Sequence, residues 1–180
     1  MEILELINNG SRKLKNKSIC SHKLDSEILL SKVLNKTREE LLINLNQEIE
    51  LPKISHFNKL IYRRSSREPI AYILKVKEFW SKNFLVDNNT LIPRPETELM
   101  VEQLVKIFKK KNIFVLDIGT GTGCILLSLL SELQTSRGIG IDISQKAIQI
   151  ALANSEKHKL NYRTKFYRRS VYEIYQNKFD

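Results

Sequence analysis

Residues 117–125, DIGTGTGCI, follow the apolar run IFVL at 113–116 and place three glycines at alternate positions, Gly119, Gly121 and Gly123. A run that ends in a carboxylate, turns on glycines and resumes with helical apolar spacing is a strand–turn–helix unit. Glycines so spaced let the backbone take φ values barred to other residues. They also let a ligand approach the main chain beside the free N–H groups of a helix N-terminus. The stretch reads as a cradle for a nucleotide-like cofactor.

Outward from the cradle, the period alternates. Strands are expected at 113–118, 139–143 and 164–167, with helices at 122–134 and 145–159 between them, the pattern of a parallel α/β sheet. Upstream, a helix opens at Glu96 and presents Leu99, Met100, Gln103, Leu104, Ile107 and Phe108 as its apolar face. Before it, the prolines at 93 and 95 favour a stiff extended segment. Two short runs rich in aromatic and β-branched residues, 71–76 and 79–86, read as a β-hairpin.

Residues 1–68 have helical spacing throughout. Helices are expected at 2–15, weakened by Gly10, at 21–34, with Ile28, Leu29, Val33 and Leu34 as its stripe, and from 37 to about 45. Thr37 and Glu40 stand at capping-box spacing. A further helix carries Ile54, Phe57, Leu60 and Ile61 and ends in Arg63, Arg64 and Arg67, read as a solvated basic helix end. The expected organisation is a helical domain (1–68), a β-hairpin linker (69–92) and a partial α/β domain (93–180).

The net charge of +10 does not single out nucleic acid. Residues 1–70 hold 13 basic and 9 acidic side chains, residues 71–112 hold 8 and 5, and residues 113–180 hold 9 and 6. An excess spread so evenly argues against a direct nucleic-acid surface, which gathers its charge on one face. Cys20 and Cys124 belong to no ligand or redox pattern, which fits a reducing, cytoplasmic location, and no stretch has the length of a membrane span. His22, His56 and His158 are scattered, with no partner spacing.

Three cofactor classes use glycine loops. A phosphate loop of the Walker type needs Gly-Lys followed by Ser or Thr, whereas Gly123 is followed by Cys124. The dinucleotide fingerprint would place its last glycine at Cys124. What stands here is Asp-x-Gly-x-Gly-x-Gly, with Asp142 closing the next strand. This resembles motif I of the S-adenosylmethionine-dependent methyltransferases. That donor carries an ammonium and a sulfonium and no phosphate, so Asp117 suits it where a pyrophosphate would be repelled. Asp142 is placed to accept hydrogen bonds from ribose hydroxyls.

Further motifs narrow the resemblance. PIAY at 69–72, EFW at 78–80, IPRPETE at 92–98, and DSE at 25–27 followed by ILL are similar to those of the glutamine methyltransferases that act on peptide chain release factors. The resemblance covers essentially the whole chain. It implies a helical bundle, a hairpin and the first half of a Rossmann-like class I methyltransferase domain. It also implies S-adenosyl-L-methionine as donor and class 1 release factors as protein partners.

By the same resemblance Gly119, Thr120, Gly121, Thr122, Gly123 and Asp142 bind the donor beside Asp117, and Tyr172 stands where relatives carry an aromatic near the adenine. Val171 replaces an acidic or amide residue of many relatives, with Ser170 as the available substitute. Lys75 stands where relatives have glycine. Relatives continue from a Phe-Asp like Phe179 and Asp180 into an Asn-Pro-Pro-Tyr motif that grips the target amide. The expectation is therefore a fragment of little activity alone, with 113–116 on an exposed sheet edge. Two rivals are a methyltransferase acting on a nucleic-acid amino group and a catalytically dead binding module.

Overall fold

The computed structural model describes residues 1–174, and the Phe179–Asp180 pair lies outside them. The chain divides into two compact units, Met1–Leu74 and Lys75–Asp180.

The first unit is helical: α1 (Ile3–Lys15), α2 (His22–Leu34), α3 (Arg38–Ile43), α4 (Leu51–Ser65) and α5 (Ile70–Leu74). Helix α1 buries Ile3, Leu6, Ile7, Gly10 and Leu14, positions that return to one face every three or four residues. Gly10 is where helices meet. A Cβ there would lie 2.5 Å from Ser26 Oγ and 2.7 Å from Phe57 Cζ, so the residue that weakens α1 locally permits its packing. The capping box at Thr37 forms as its spacing predicts: Glu40 N–H donates to Thr37 Oγ1 (3.2 Å), and Thr37 N–H to Glu40 Oε2 (2.7 Å).

Helix α2 departs from the expected stripe. It buries Asp25, Ser26 and Glu27 along with Leu29 and Leu30. These three polar groups are matched: Asp25 with Arg64 at 2.7 Å, Glu27 with Arg38 at 2.6 Å, and Ser26 Oγ donating to the Ile7 carbonyl at 2.9 Å. The DSE motif is thus part of the core, where a carboxylate survives because its partner is fixed beside it. The reading of Arg63 and Arg64 as a solvated helix end is corrected by the same contacts. Arg64 is largely buried against Asp25, and Arg63 grips Glu68 through two nitrogens.

The expected strand at 71–76 is also corrected. Residues Ile70–Leu74 form a helical turn started by the Pro69 carbonyl, which accepts from the N–H groups of Tyr72 and Ile73. Burying Ile73 against the helical core outweighs the strand preference of the segment. The hairpin is therefore shorter than expected, and it lies within the second unit rather than forming a separate linker.

That second unit opens with β1 (Val76–Phe79) and β2 (Lys82–Leu85), paired antiparallel with Phe79 opposite Lys82. Lys75 has a φ of +58°, the left-handed region, at the position where the resembling family carries glycine. Trp80 and Ser81 make the turn, both at φ +53°. The backbone N–H of Trp80 donates to Glu98 Oε1 and its indole N–H to Glu132 Oε1, each at 2.9 Å. Phe79 and Phe84 drop into a core shared with Leu126, Leu127, Ala151 and Phe166.

Next come α6 (Thr97–Phe108), β3 (Phe114–Ile118), α7 (Cys124–Glu132), β4 (Arg137–Asp142), α8 (Gln145–Lys157) and β5 (Thr164–Arg168). The strands form one parallel sheet in the order β3-β4-β5, so the expected α/β architecture is borne out. Helix α6 is rotated from its predicted face. It packs Val101, Leu104, Val105 and Phe108 inward and leaves Leu99, Met100 and Ile107 exposed, because the apolar surface it meets is built by Ile113, Leu129 and Leu133. Strand β4 begins two residues earlier than predicted, since Arg137 N–H already pairs with the Ile113 carbonyl, and Ile143 is exposed. Among the described residues β3 is an edge strand, half-exposed along its length.

Candidate functional site

The carboxyl ends of β3 and β4 bring the acidic residues and the glycine loop together. The turn after β3 has positive φ at all three glycines: +73° at Gly119, +53° at Gly121 and +76° at Gly123. Backbone in this region is nearly free for glycine and costs other residues about 1–2 kcal/mol. The roles of the three differ. A Cβ on Gly123 would meet Leu127, Phe166 and Ala151 at 3.2–3.4 Å, so this glycine lets α7 pack closely on the sheet. A Cβ on Gly119 would meet nothing within 4 Å, and one on Gly121 only the Gly119 carbonyl at 3.9 Å. Those two leave an open approach to the main chain.

The loop is pinned from β4. The N–H groups of Gly119 and Thr120 both donate to the Ile141 carbonyl at 2.9 Å. Gly121 N–H donates to Asp142 Oδ2 at 3.0 Å, and Ser144 N–H to Asp142 Oδ1 at 2.9 Å. Asp142 is therefore not the cap of α8. That task falls to Ser144, whose Oγ accepts from Ala147 N–H. Two ionised oxygens offer about four acceptor positions, so one contact at each leaves capacity for a ligand's hydroxyls.

Asp117, the penultimate residue of β3, accepts from Thr120 Oγ1 at 2.7 Å. Its burial raises its carboxyl pKa above the ordinary 3.8, against the Thr120 hydroxyl and the Leu126 backbone N–H, which favour the ionised form; the nearby Asp142 charge adds to the rise. Among the described residues, neither carboxylate forms an ion pair. Two unpaired carboxylates beside an open glycine backbone suit a ligand that carries positive charge and hydroxyls, and they disfavour a polyphosphate. The donor set thus fits the donor that the sequence pattern implies.

Thr120 and Thr122 are buried, and their hydroxyls are engaged inside the protein, with Asp117 and with the Cys124 N–H respectively. What they can offer a ligand is main chain. Burial pushes the Cys124 thiol up to about 11, which leaves it inert. Tyr172 lies on the single 3-10 turn Val171–Glu173 after β5 and is 78% exposed, so the structure does not enclose it with the loop. A cleft of about 330 Å³ beyond β4 is lined by Ile143, Arg168, Arg169, Ser170 and Glu173. Ser170 Oγ is occupied by the Tyr172 N–H at 3.4 Å. Among the described residues, no group of His, Cys, Asp and Glu could hold a metal, and no helix is long and apolar enough to cross a membrane.

Two residues of this region escaped the sequence reading. Gly140 lies under the loop, where a Cβ would come within 2.5 Å of the Phe166 ring and 2.8 Å of Thr120 Oγ1. Its signal was the alternation of glycine with isoleucine in RGIGID. Asn154 was the other, a polar residue on the stripe Ala147, Ile148, Ala151, Asn154 and Ser155 that α8 buries.

Comparison with known proteins agrees with this geometry. Residues 5–74 match the PrmC N-terminal domain family, and residues 109–180 match a methyltransferase domain family. Residues 109–180, with the fold and the loop described above, thus resemble a methyltransferase domain, a kind of domain that in general takes a methyl donor of the S-adenosylmethionine type. Over the length that it shares with them, the chain is similar to proteins named release factor glutamine methyltransferase. It is 45% identical over 161 residues to the release factor glutamine methyltransferase of Buchnera aphidicola subsp. Baizongia pistaciae, covering 89% of this chain and 58% of that protein. The corresponding protein of Buchnera aphidicola subsp. Acyrthosiphon pisum is 40% identical over 163 residues, covering 91% and 57%. A protein named bifunctional methyltransferase from Rickettsia typhi is 36% identical over 198 residues, covering 99% of this chain and 38% of its own length. The chain thus spans between about two fifths and three fifths of these relatives.

Proposed function

We propose that the chain binds S-adenosyl-L-methionine through residues 117–123 and Asp142, as the donor-binding part of an enzyme that methylates the side-chain amide of a glutamine in class 1 peptide chain release factors. The observation that carries the reading is the open backbone at Gly119 and Gly121, set between two carboxylates that have no ion-pair partner among the described residues. The names of the Buchnera relatives support the protein substrate. The reading carries with it a cytoplasmic location, where release factors act.

The bound donor supplies an electrophilic methyl group on a sulfonium centre. The chain's residues bind and orient it. Asp142 accepts from the ribose hydroxyls while holding Gly121 in place. Asp117 would hold the cationic end of the donor, with Thr120 Oγ1 donating to its carboxylate. The main chain of the loop would permit the close approach, and Tyr172, on its exposed turn, would be the aromatic offered to the adenine. Fixing the donor in this way lets an otherwise poor amide nucleophile meet it in the productive geometry.

Calorimetric titration of the chain with S-adenosylmethionine tests the site. Saturable one-to-one binding is expected, competed by S-adenosylhomocysteine. No heat at millimolar donor would overturn the proposal. Transfer of labelled methyl to a release factor, lost when its target glutamine is replaced by alanine, tests the substrate.

A further inference from the structure

We infer that Asn154 is a positioning residue that sets the glycine loop by holding the Thr122 carbonyl and ties that loop to the β-hairpin. The proposal rests on the donor-binding reading above only for its functional consequence, since the contacts are present in the chain itself.

Asn154 is fully buried on α8. Its Oδ1 accepts from the Leu85 N–H at 2.6 Å, and its Nδ2 donates to the Leu85 carbonyl at 3.0 Å and to the Thr122 carbonyl at 3.0 Å. A carboxamide has two N–H donors and one carbonyl oxygen, and here both donors and the oxygen are used. Toward Leu85 the side chain imitates a neighbouring strand, completing β2 on the side where, among the described residues, no strand pairs with it. Toward Thr122 it takes the carbonyl of the residue between two glycines at positive φ.

The second contact separates positioning from simple space-filling. Glycine backbone at positive φ has little preference of its own, so the loop's shape is set by what holds it. Ile141 holds Gly119 and Thr120, and Asp142 holds Gly121, all from β4. Asn154 supplies the next anchor, from α8, on the far side of the open glycines. Aspartate at 154 would keep the Leu85 N–H bond, but it would turn a carboxylate toward two carbonyls. Alanine would remove all three bonds.

The experiment has two arms on the full chain. Amide hydrogen exchange of ligand-free Asn154→Ala and Asn154→Asp should accelerate at Gly121 and Gly123, whose N–H groups bond to Asp142 and to the Thr120 carbonyl rather than to Asn154, with the first helical unit unchanged. Donor affinity should weaken about tenfold, the scale set by one buried carbonyl losing its donor. Faster exchange at Leu85 alone, or a lowered melting temperature with the loop's exchange and donor affinity unchanged, would mean a merely structural role and overturn the inference.

Should neither variant fold, the wild-type chain decides. Adding S-adenosylhomocysteine should slow exchange at Leu85 along with the loop, and loop protection without Leu85 protection would overturn the coupling. If wild type binds no donor while ligand-free Asn154→Asp still loosens Gly121 and Gly123, the functional reading fails and the positioning role stands.

Discussion

The backbone N–H of Gly121 donates to Oδ2 of Asp142 at 3.0 Å, so the carboxylate that ends β4 also closes the glycine loop. Replacing it should therefore damage the site twice, through the lost acceptor and through the loosened loop. Asp142→Asn keeps the volume but has one oxygen for two backbone donors and any ligand hydroxyl. We expect donor affinity to fall about tenfold to a hundredfold, which corresponds to one or two charge-assisted hydrogen bonds. Titration calorimetry checks this, and unchanged affinity would remove Asp142 from the site.

Asp117 gives a pH prediction. Its folded-state pKa lies above the ordinary 3.8, chiefly because burial penalises the charge. The folded chain therefore holds this proton more tightly than the unfolded chain. The stability so contributed is present below pH 3.8 and is lost as pH rises through the raised value. Asp117→Asn lacks this loss, so relative to wild type it should gain stability as pH rises from below 4 toward neutrality. Melting curves across that range check the trend. On the proposed reading the same substitution should weaken donor binding, since it would remove a negative charge offered to a cationic ligand.

Two glycine substitutions separate fold from site. Gly140→Ala places a Cβ 2.5 Å from the Phe166 ring and 2.8 Å from Thr120 Oγ1, and should destabilise the second unit by about 1–3 kcal/mol through overpacking. Gly119→Ala meets nothing within 4 Å and should cost only the backbone penalty at φ +73°, about 1–2 kcal/mol. Its Cβ nevertheless occupies the approach to the loop, so donor binding should be lost from a folded protein. Denaturant melts and donor titration, run in parallel, distinguish the two.

Gly10→Ala tests which effect wins in α1. Helix propensity alone predicts about 1 kcal/mol of stabilisation. The new Cβ would sit 2.5 Å from Ser26 Oγ and 2.7 Å from Phe57 Cζ, and overpacking costs about 1–3 kcal/mol. We expect net destabilisation, read as a lower melting temperature of the helical unit.

Lys75→Gly should act in the opposite sense. Lys75 holds a left-handed φ of +58°, and glycine removes that strain, worth about 1 kcal/mol after its greater unfolded-state entropy is counted. A raised melting temperature is the expected outcome, and a lowered one would show that the lysine side chain holds the segment.

The α/β order and the loop were legible because periodicity and glycine spacing are local signals. DIGTGTGCI and Asp142 sufficed to bring the two strand ends together, and the capping box at Thr37 was readable for the same reason. What stayed hidden depends on partners distant in sequence. Asp25 is buried because Arg64 lies 39 residues away, which no local pattern reports. Residues Ile70–Leu74 look like a strand until the helical core that receives Ile73 is known. Leu99 and Ile107 match a helical face as well as Val101 and Val105 do, and only the position of Leu129 and Leu133 decides between them. Asn154 reads as an ordinary helix residue because Leu85 and Thr122 reach it from 69 and 32 positions away.

The hairpin turn also equips the protein with an optical reporter. Trp80 is the only tryptophan in the chain, and its indole N–H is bound to the Glu132 carboxylate. Its emission therefore registers the state of the second unit, while the helical unit is silent at that wavelength. A melt followed by tryptophan fluorescence and one followed by far-ultraviolet dichroism, which is dominated by helices from both units, should coincide only if the two units unfold together. The spread between the curves then measures their thermodynamic independence without a label.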